Sequence, residues 1–243
     1  MKAYSTIPIQ DCGEPLVPIP RQYFVLTTPH PYESLGAPYG VRSPYVLRQS
    51  VCDRLIQAHH YLQDLQPGWR IQIFDAYRPI AVQQFMVDSV FADQVAMRGL
   101  SHSTLTDAQR TALLEEVYTF WAKPSHDPAT PPPHSTGAAV DVTLIDAKGD
   151  AVEMGSPIDE ISERSHPNYF APSYAEGAAD GDRLEHPYHV HRSVLRTVLC
   201  QAGFHQHPNE WWHFSYGDQL WAWIERQHGT DTAAIARYGR ATD

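Results

Sequence analysis

No stretch of the chain approaches the roughly 18 consecutive apolar residues of a membrane span, so no membrane helix is expected. Cysteine is scarce. Cys12, Cys52 and Cys200 form no CxxC pair and cannot all pair within one chain, which argues against a disulfide framework and for a reducing compartment. Basic charge is also short, with Lys+Arg 18 against Asp+Glu 28 and a net charge of −10. The positive footprint that nucleic acid requires is missing. The opening segment, MKAYSTIPIQDCGEPLVPIP, has no apolar core of a secretory signal, so the chain is expected in the cytoplasm. There are no internal repeats.

What the chain does have is a globular balance, 42% hydrophobic and 19% charged over 243 residues, which fits one core with an elaboration. It also has 14 histidines, and histidine is both a metal ligand and a proton carrier. The first forty residues, rich in Pro and Tyr, read as an extended arm with a short strand at Tyr23–Leu26. Leu47, Val51, Leu55, Ala58 and Leu62 recur at three and four, which predicts an amphipathic helix from Tyr45 to Leu65, stopped by Pro67-Gly68. Arg70–Asp75 alternates, with Ile71, Ile73 and Asp75 on one face of a strand. Pro79 opens a helix with Val82, Phe85, Met86 and Val90 inward. Thr106 and Gln109 fit a capping box for a further helix that buries Leu113, Val117 and Trp121.

A proline-rich connector over 124–133 leads to a strand at Ala139–Ile145 and a long loop from Asp146 to about Pro187. Val194, Leu195, Val198 and Leu199 mark a helix ended by Gly203. Glu210–Tyr216 reads as an aromatic strand, and Trp221–Ile224 as the start of a final helix. Strands and helices alternate too irregularly for a doubly wound sheet. The expected class is α+β.

Three places carry chemistry. In His134-Ser-Thr-Gly-Ala-Ala-Val-Asp141, a histidine in a Gly-containing loop precedes a strand whose aspartate is flanked by Val140 and Val142. Such an aspartate is costly to bury unless paired or coordinated. By itself the segment reads more readily as a turn-capping histidine and an aspartate accepting backbone N–H groups. In Glu210-Trp-Trp-His213, residues three apart face opposite sides of an ideal strand. They can converge only if Glu210 lies in the Pro208-Asn209 turn or the strand is bulged. An aromatic core strand with a satisfied histidine is the plain alternative. Asp75-Ala-Tyr-Arg78-Pro79 puts an arginine at a strand-to-helix turn, where most arginines are surface ion pairs. Together the three places are the parts of a mononuclear zinc hydrolase: imidazoles and a carboxylate for the metal, a second carboxylate as base, and an arginine for an oxyanion.

At these residues the chain resembles the VanX-type D-alanyl-D-alanine dipeptidases of peptidase family M15. HSTGAAVD resembles their HxxGxAxD zinc motif, EWWH their ExxH motif, DAYRP their arginine segment, and Met154–His166 their substrate-side loop. The resemblance spans about residues 70–216, in order. It implies one Zn²⁺ held by His134, Asp141 and His213, with Glu210 as general base and acid. It implies Arg78 as the group that polarises the scissile carbonyl, and Asp159 as an anchor for the free ammonium of a small dipeptide substrate. The fold implied is that shared by hedgehog signalling domains and bacterial D,D-peptidases, an antiparallel sheet with packed helices. The whole chain, 1–243, is then one zinc peptidase domain with an N-terminal arm (about 1–40) and a helical, Pro-rich insertion (about 91–133).

The chain departs from that pattern twice. Pro132 and Pro133 stand where relatives often carry pocket-lining serines, and the 91–133 segment looks expanded, to narrow the mouth or to mediate self-association. The pairs His189/His191 and His205/His207 are rival metal sites on a strand, but the first sits where a helix begins and the second in a loop. His166 is expected to support the site, and Cys200 to pack inward as a small hydrophobe. The expected activity is hydrolysis of D-Ala-D-Ala to two D-alanines. The alternatives are a D,D-carboxypeptidase or endopeptidase on longer muropeptides, and a non-catalytic zinc-binding module, which would be expected to lose its base or arginine.

Overall fold

The computed structural model describes residues 2–172, 186–229 and 231–241. A 3-10 turn at Ala3–Thr6 precedes β1 (Leu16–Pro18), β2 (Val25–Leu26), α1 (Pro31–Ser34) and β3 (Val46–Arg48). Then come α2 (Gln49–Leu65), β4 (Arg70–Asp75), α3 (Ile80–Met97) and α4 (Asp107–Phe120). A second 3-10 turn, Pro133–Thr136, leads into β5 (Ala139–Ile145). The described chain closes with α5 (Pro187–Gln201), β6 (His205–Gln206), β7 (His213–Ser215) and α6 (Gln219–His228). Residues 173–185 of the expected long loop lie outside the described residues. No helix among the described residues is long and apolar enough to cross a membrane.

The class is α+β. Five strands run in the order β2-β4-β5-β7-β6, and β1 pairs with β3 separately. The sheet is antiparallel except at one edge, where β2 runs parallel to β4. The main core lies on one face. Val51, Leu55, Ala58 and Leu62 of α2 and Leu195, Val198 and Leu199 of α5 pack with Ile71, Ile73, Val140, Val142, Leu144 and Phe214 of the sheet. Each of these Val, Leu, Ile and Phe side chains contributes roughly 1.5–3 kcal/mol of burial. With α2 and α5 on that face, the other face is left for polar groups at the carboxyl end of β4.

Several elements differ from their sequence-based expectations. The helix expected from Tyr45 begins only at Gln49, because Val46–Arg48 pairs with Leu16–Pro18 of the arm. A partner thirty residues away is invisible to local periodicity. The strand at Tyr23–Leu26 shortens to Val25–Leu26, and that at Glu210–Tyr216 to His213–Ser215, with Glu210 in the turn before it. On α3 the fully buried positions include Val87 and Phe91, while Phe85 and Val90 pack partly buried on a second apolar cluster. Cys200 is exposed, not packed inward, since it falls one position beyond the Leu195-Val198-Leu199 stripe of α5. The arm is not a loose extension either. Tyr32 and Tyr39 are buried with Val82, Phe91 and Trp121 in that second cluster, and the Ile9 region bridges to Ala236.

Candidate metal centre and active site

Pairing of β5 with β7 sets Asp141 opposite His213. The 3-10 turn before β5 delivers His134 beside them. That turn ends at Gly137 with φ 72°, where a Cβ would run into the Leu16 side chain, so only glycine fits. His134 Nε2 and His213 Nδ1 come within 3.1 Å. Asp141 reaches His213 Nδ1 at 3.1 Å through Oδ1 and His134 Nε2 at 3.2 Å through Oδ2. All three residues are buried.

The outer nitrogens are already engaged. His134 Nδ1 donates to the Ala76 carbonyl at 2.7 Å. His213 Nε2 donates to Ser215 Oγ at 3.3 Å, and that hydroxyl donates to Asp218 Oδ2 at 2.8 Å. With those protons assigned outward, each neutral ring turns a lone pair inward, towards the other and towards a carboxylate. Burial holds His213 below the usual imidazole range; burial also pulls His134 down, but the charge and hydrogen bond of Asp141 and the charge of Asp75 together outweigh it and lift His134. Asp141 stays ionised despite burial because His134 and His213 face it. Three acceptors converging without a donor between them could hold a cation, and outer partners that fix ligand rings are what a metal site needs. These three residues are the group of potential ligands found among the described residues.

Arg78 is held rigidly beside them. Its Nε and Nη2 both donate to Asp75 Oδ2, at 3.0 and 2.8 Å, and Nη1 donates to Gln83 Oε1 at 2.9 Å. Tyr32 and Trp121 flank the guanidinium, 4.9 and 5.1 Å from their ring centres. Nη2 also lies 3.5 Å from Asp141 Oδ2. Asp75 is itself clamped, accepting from His30 Nε2 and Tyr39 OH at 3.1 Å each. A register shift between Ile73 and Asp75 explains how Asp75 gets there: Ile73 pairs with Val142 in the core, but Asp75 pairs with Asp141. The extra residue turns Asp75 off the core face that the unbroken alternation assigned it to.

Glu210 meets the condition for convergence by lying in the Pro208-Asn209 turn; its Oε2 is 3.8 Å from His213 Nδ1 and its Oε1 is 3.6 Å from His207 Nδ1. Burial first, and then Asp141, pushes its carboxyl well above the usual range. Asp159 lies at a left-handed φ of 67° and accepts from Tyr32 OH at 2.7 Å. Such backbone strain on a non-glycine residue costs of order 1–3 kcal/mol and is concentrated at functional sites. Burial and Asp141 raise its pKa to about 7. Four carboxyl groups (Asp75, Asp141, Asp159 and Glu210) thus share the site with one guanidinium; burial and mutual repulsion raise Asp159 and Glu210, a strain that a divalent cation would relieve.

All six residues singled out in the sequence border a single narrow cavity of ≈ 40 Å³, walled by Phe120, Trp121, Pro132, Pro133 and Trp212. The 91–133 segment therefore supplies one wall. Of the rival histidines, His207 alone among the described residues lines the site; His205 pairs with Glu225, and His191 of α5 donates to the Glu153 carbonyl. His166 contributes its backbone carbonyl, to Arg192. Sequence reasoning missed Asp75, His30, Tyr32, Tyr39, Gln83 and Lys2. For Asp75 a signal existed, an acid closing an apolar alternation; for the arm residues none did.

The model of the peptidase M15 family, described as D-Ala-D-Ala dipeptidase, matches residues 26–232. The chain belongs to that family, and it is a peptidase. It is 53% identical over 241 residues to the D-alanyl-D-alanine dipeptidase of Synechocystis sp. (strain ATCC 27184 / PCC 6803 / Kazusa), covering 99% of this chain and 97% of that protein. To the D-alanyl-D-alanine dipeptidase of Enterococcus faecium it is 30% identical over 155 residues, 63% of this chain and 64% of that one. Among solved structures, VanYB in complex with D-Alanine-D-Alanine aligns at 18% identity and a TM-score of 0.40, over 76% of this chain and 78% of that chain.

Proposed function

We propose that the chain hydrolyses the D-Ala-D-Ala dipeptide to two D-alanines, using one Zn²⁺ held by His134, Asp141 and His213. The observation that carries this reading is the meeting of inward lone pairs from both rings with the Asp141 carboxylate, beside Glu210. Zinc in such a donor set supplies Lewis acidity and lowers the pKa of water.

Glu210 is the general base and acid. Burial makes its carboxylate more basic, so it takes the proton of the attacking water and returns it to the leaving amine. Arg78 holds its charge against the oxyanion that develops on the scissile carbonyl, and Asp75 keeps it from reorganising as that charge appears. Asp159, oriented by Tyr32, takes the free ammonium. The bulky walls of the cavity, Phe120, Trp121, Pro132, Pro133 and Trp212, support a free dipeptide over a muropeptide, which would need an open groove. An enzyme confined to the free dipeptide spares assembled wall precursors and suits the cytoplasm.

Glu210→Ala should keep one zinc per chain and lose turnover about 10²–10⁴-fold. Retained activity removes Glu210 from the mechanism. Assaying D-Ala-D-Ala beside D-Ala-D-Lac, L-Ala-L-Ala and an acylated tripeptide tests the substrate; comparable turnover of the tripeptide favours a carboxypeptidase instead.

A further inference from the structure

A dipeptide is a zwitterion, and the cavity must receive its carboxylate as well as its ammonium. Most charged groups on the wall are acids: Asp141, Asp159, Glu160 and Glu210. Arg78 is committed to Asp75 and Gln83. Pro132 and Pro133 have no N–H to offer an anion. Among the described residues, one further cation lines the cavity: Lys2, from the N-terminal arm.

The placement of Lys2 is built, not incidental. Its Nζ donates to the Thr119 carbonyl at 2.9 Å, near the end of α4, which leaves two of the three ammonium donors. Among the described residues no carboxylate forms an ion pair with it, and the carboxyl group its charge acts on is Glu210, across the same cavity. The 3-10 turn that follows is clamped by the buried Gln219, whose Nε2 donates to Ile7 O at 2.6 Å and to Ala129 O at 3.0 Å. Gln219 opens α6, four residues after β7 ends. The arm is thus tied to the strand that carries His213.

We propose that Lys2 is a specificity-determining residue that binds the C-terminal carboxylate of the dipeptide, so that the arm closes the site around free dipeptides. This rests on the dipeptidase reading above. It makes the free carboxylate a requirement for binding, and it assigns substrate selection in part to a segment distant in sequence from every metal ligand.

Calorimetric binding to the metal-free protein tests it, using D-Ala-D-Ala and its C-terminal amide. The wild type should bind the acid about tenfold or more tightly than the amide, the scale of a charge-assisted hydrogen bond. Lys2→Met should abolish that preference while leaving amide binding unchanged, and Lys2→Arg should restore much of it. With zinc loaded, Lys2→Met should raise KM for the dipeptide with little change in kcat. A merely structural lysine would weaken acid and amide equally, and that result, or equal binding of both by the wild type, overturns the proposal. If the wild type turns over D-Ala-D-Ala but the acid preference survives in Lys2→Met, the Lys2 assignment alone fails. If it neither binds nor hydrolyses the dipeptide, both readings fall.

Discussion

Asp75 stands directly opposite Asp141 across β4 and β5, two buried carboxyl groups on adjacent strands. Like charges so placed are tolerable only with a cation between their outer oxygens, and Arg78 Nη2 fills that role at 2.8 Å from Asp75 and 3.5 Å from Asp141. The bulge, the arginine and the second carboxylate therefore form one device that holds a guanidinium beside the proposed metal ligands.

Removing the Asp75 charge should expose this coupling. In Asp75→Asn, Arg78 loses its buried counter-ion, and breaking such a pair costs about 3 kcal/mol. Urea denaturation of the metal-free protein should show that loss, and kcat should fall more than KM rises. Unchanged stability would mean the pair is replaceable.

The outer shell of His213 should tune the metal. Ser215→Ala removes the acceptor of the Nε2 proton while leaving all three inward donors in place. Zinc affinity, measured by competition with a chromophoric chelator, should weaken about 10- to 100-fold. No change would mean the ring needs no support.

Gly137→Ala should act through His134. A left-handed φ and a clash with Leu16 force the turn to move, which costs roughly 1 kcal/mol or more. Both thermal stability and zinc affinity should drop together. A stable variant with intact zinc binding would contradict the role given to the turn.

Asp159 predicts a pH effect in the metal-free protein. Its folded pKa of about 7 lies above the unfolded value near 4. Between the two, the native state holds a proton that the unfolded chain has released, so this contribution to stability is complete below pH ~4 and is lost as pH rises through about 7. Asp159→Asn removes it. The stability of wild type relative to Asp159→Asn should therefore decline across that window, and a flat difference would refute the raised pKa.

Much of the candidate site was legible in the chain because a set of metal-binding side chains requires particular residue types, here at local spacings. His134 and Asp141 share one turn and strand, and Glu210 and His213 share another, so each pair is visible within eight residues. The long helices were legible through their apolar stripes, as with Val51, Leu55 and Leu62. The rest depends on distant pairing. Val46–Arg48 becomes a strand only because Leu16–Pro18 lies beside it. Tyr32, Tyr39 and His30 reach Arg78 and Asp75 only once the arm wraps the second apolar cluster. A bulge of one residue, which decides the side on which Asp75 emerges, leaves no periodic trace.

The most direct measurement is anomalous diffraction at the zinc edge from crystals grown with one equivalent of zinc. The account predicts a single peak bonded to His134 Nε2, His213 Nδ1 and the Asp141 carboxylate, with Glu210 beside it but not ligating. A peak elsewhere, or none at this cluster, would contradict it.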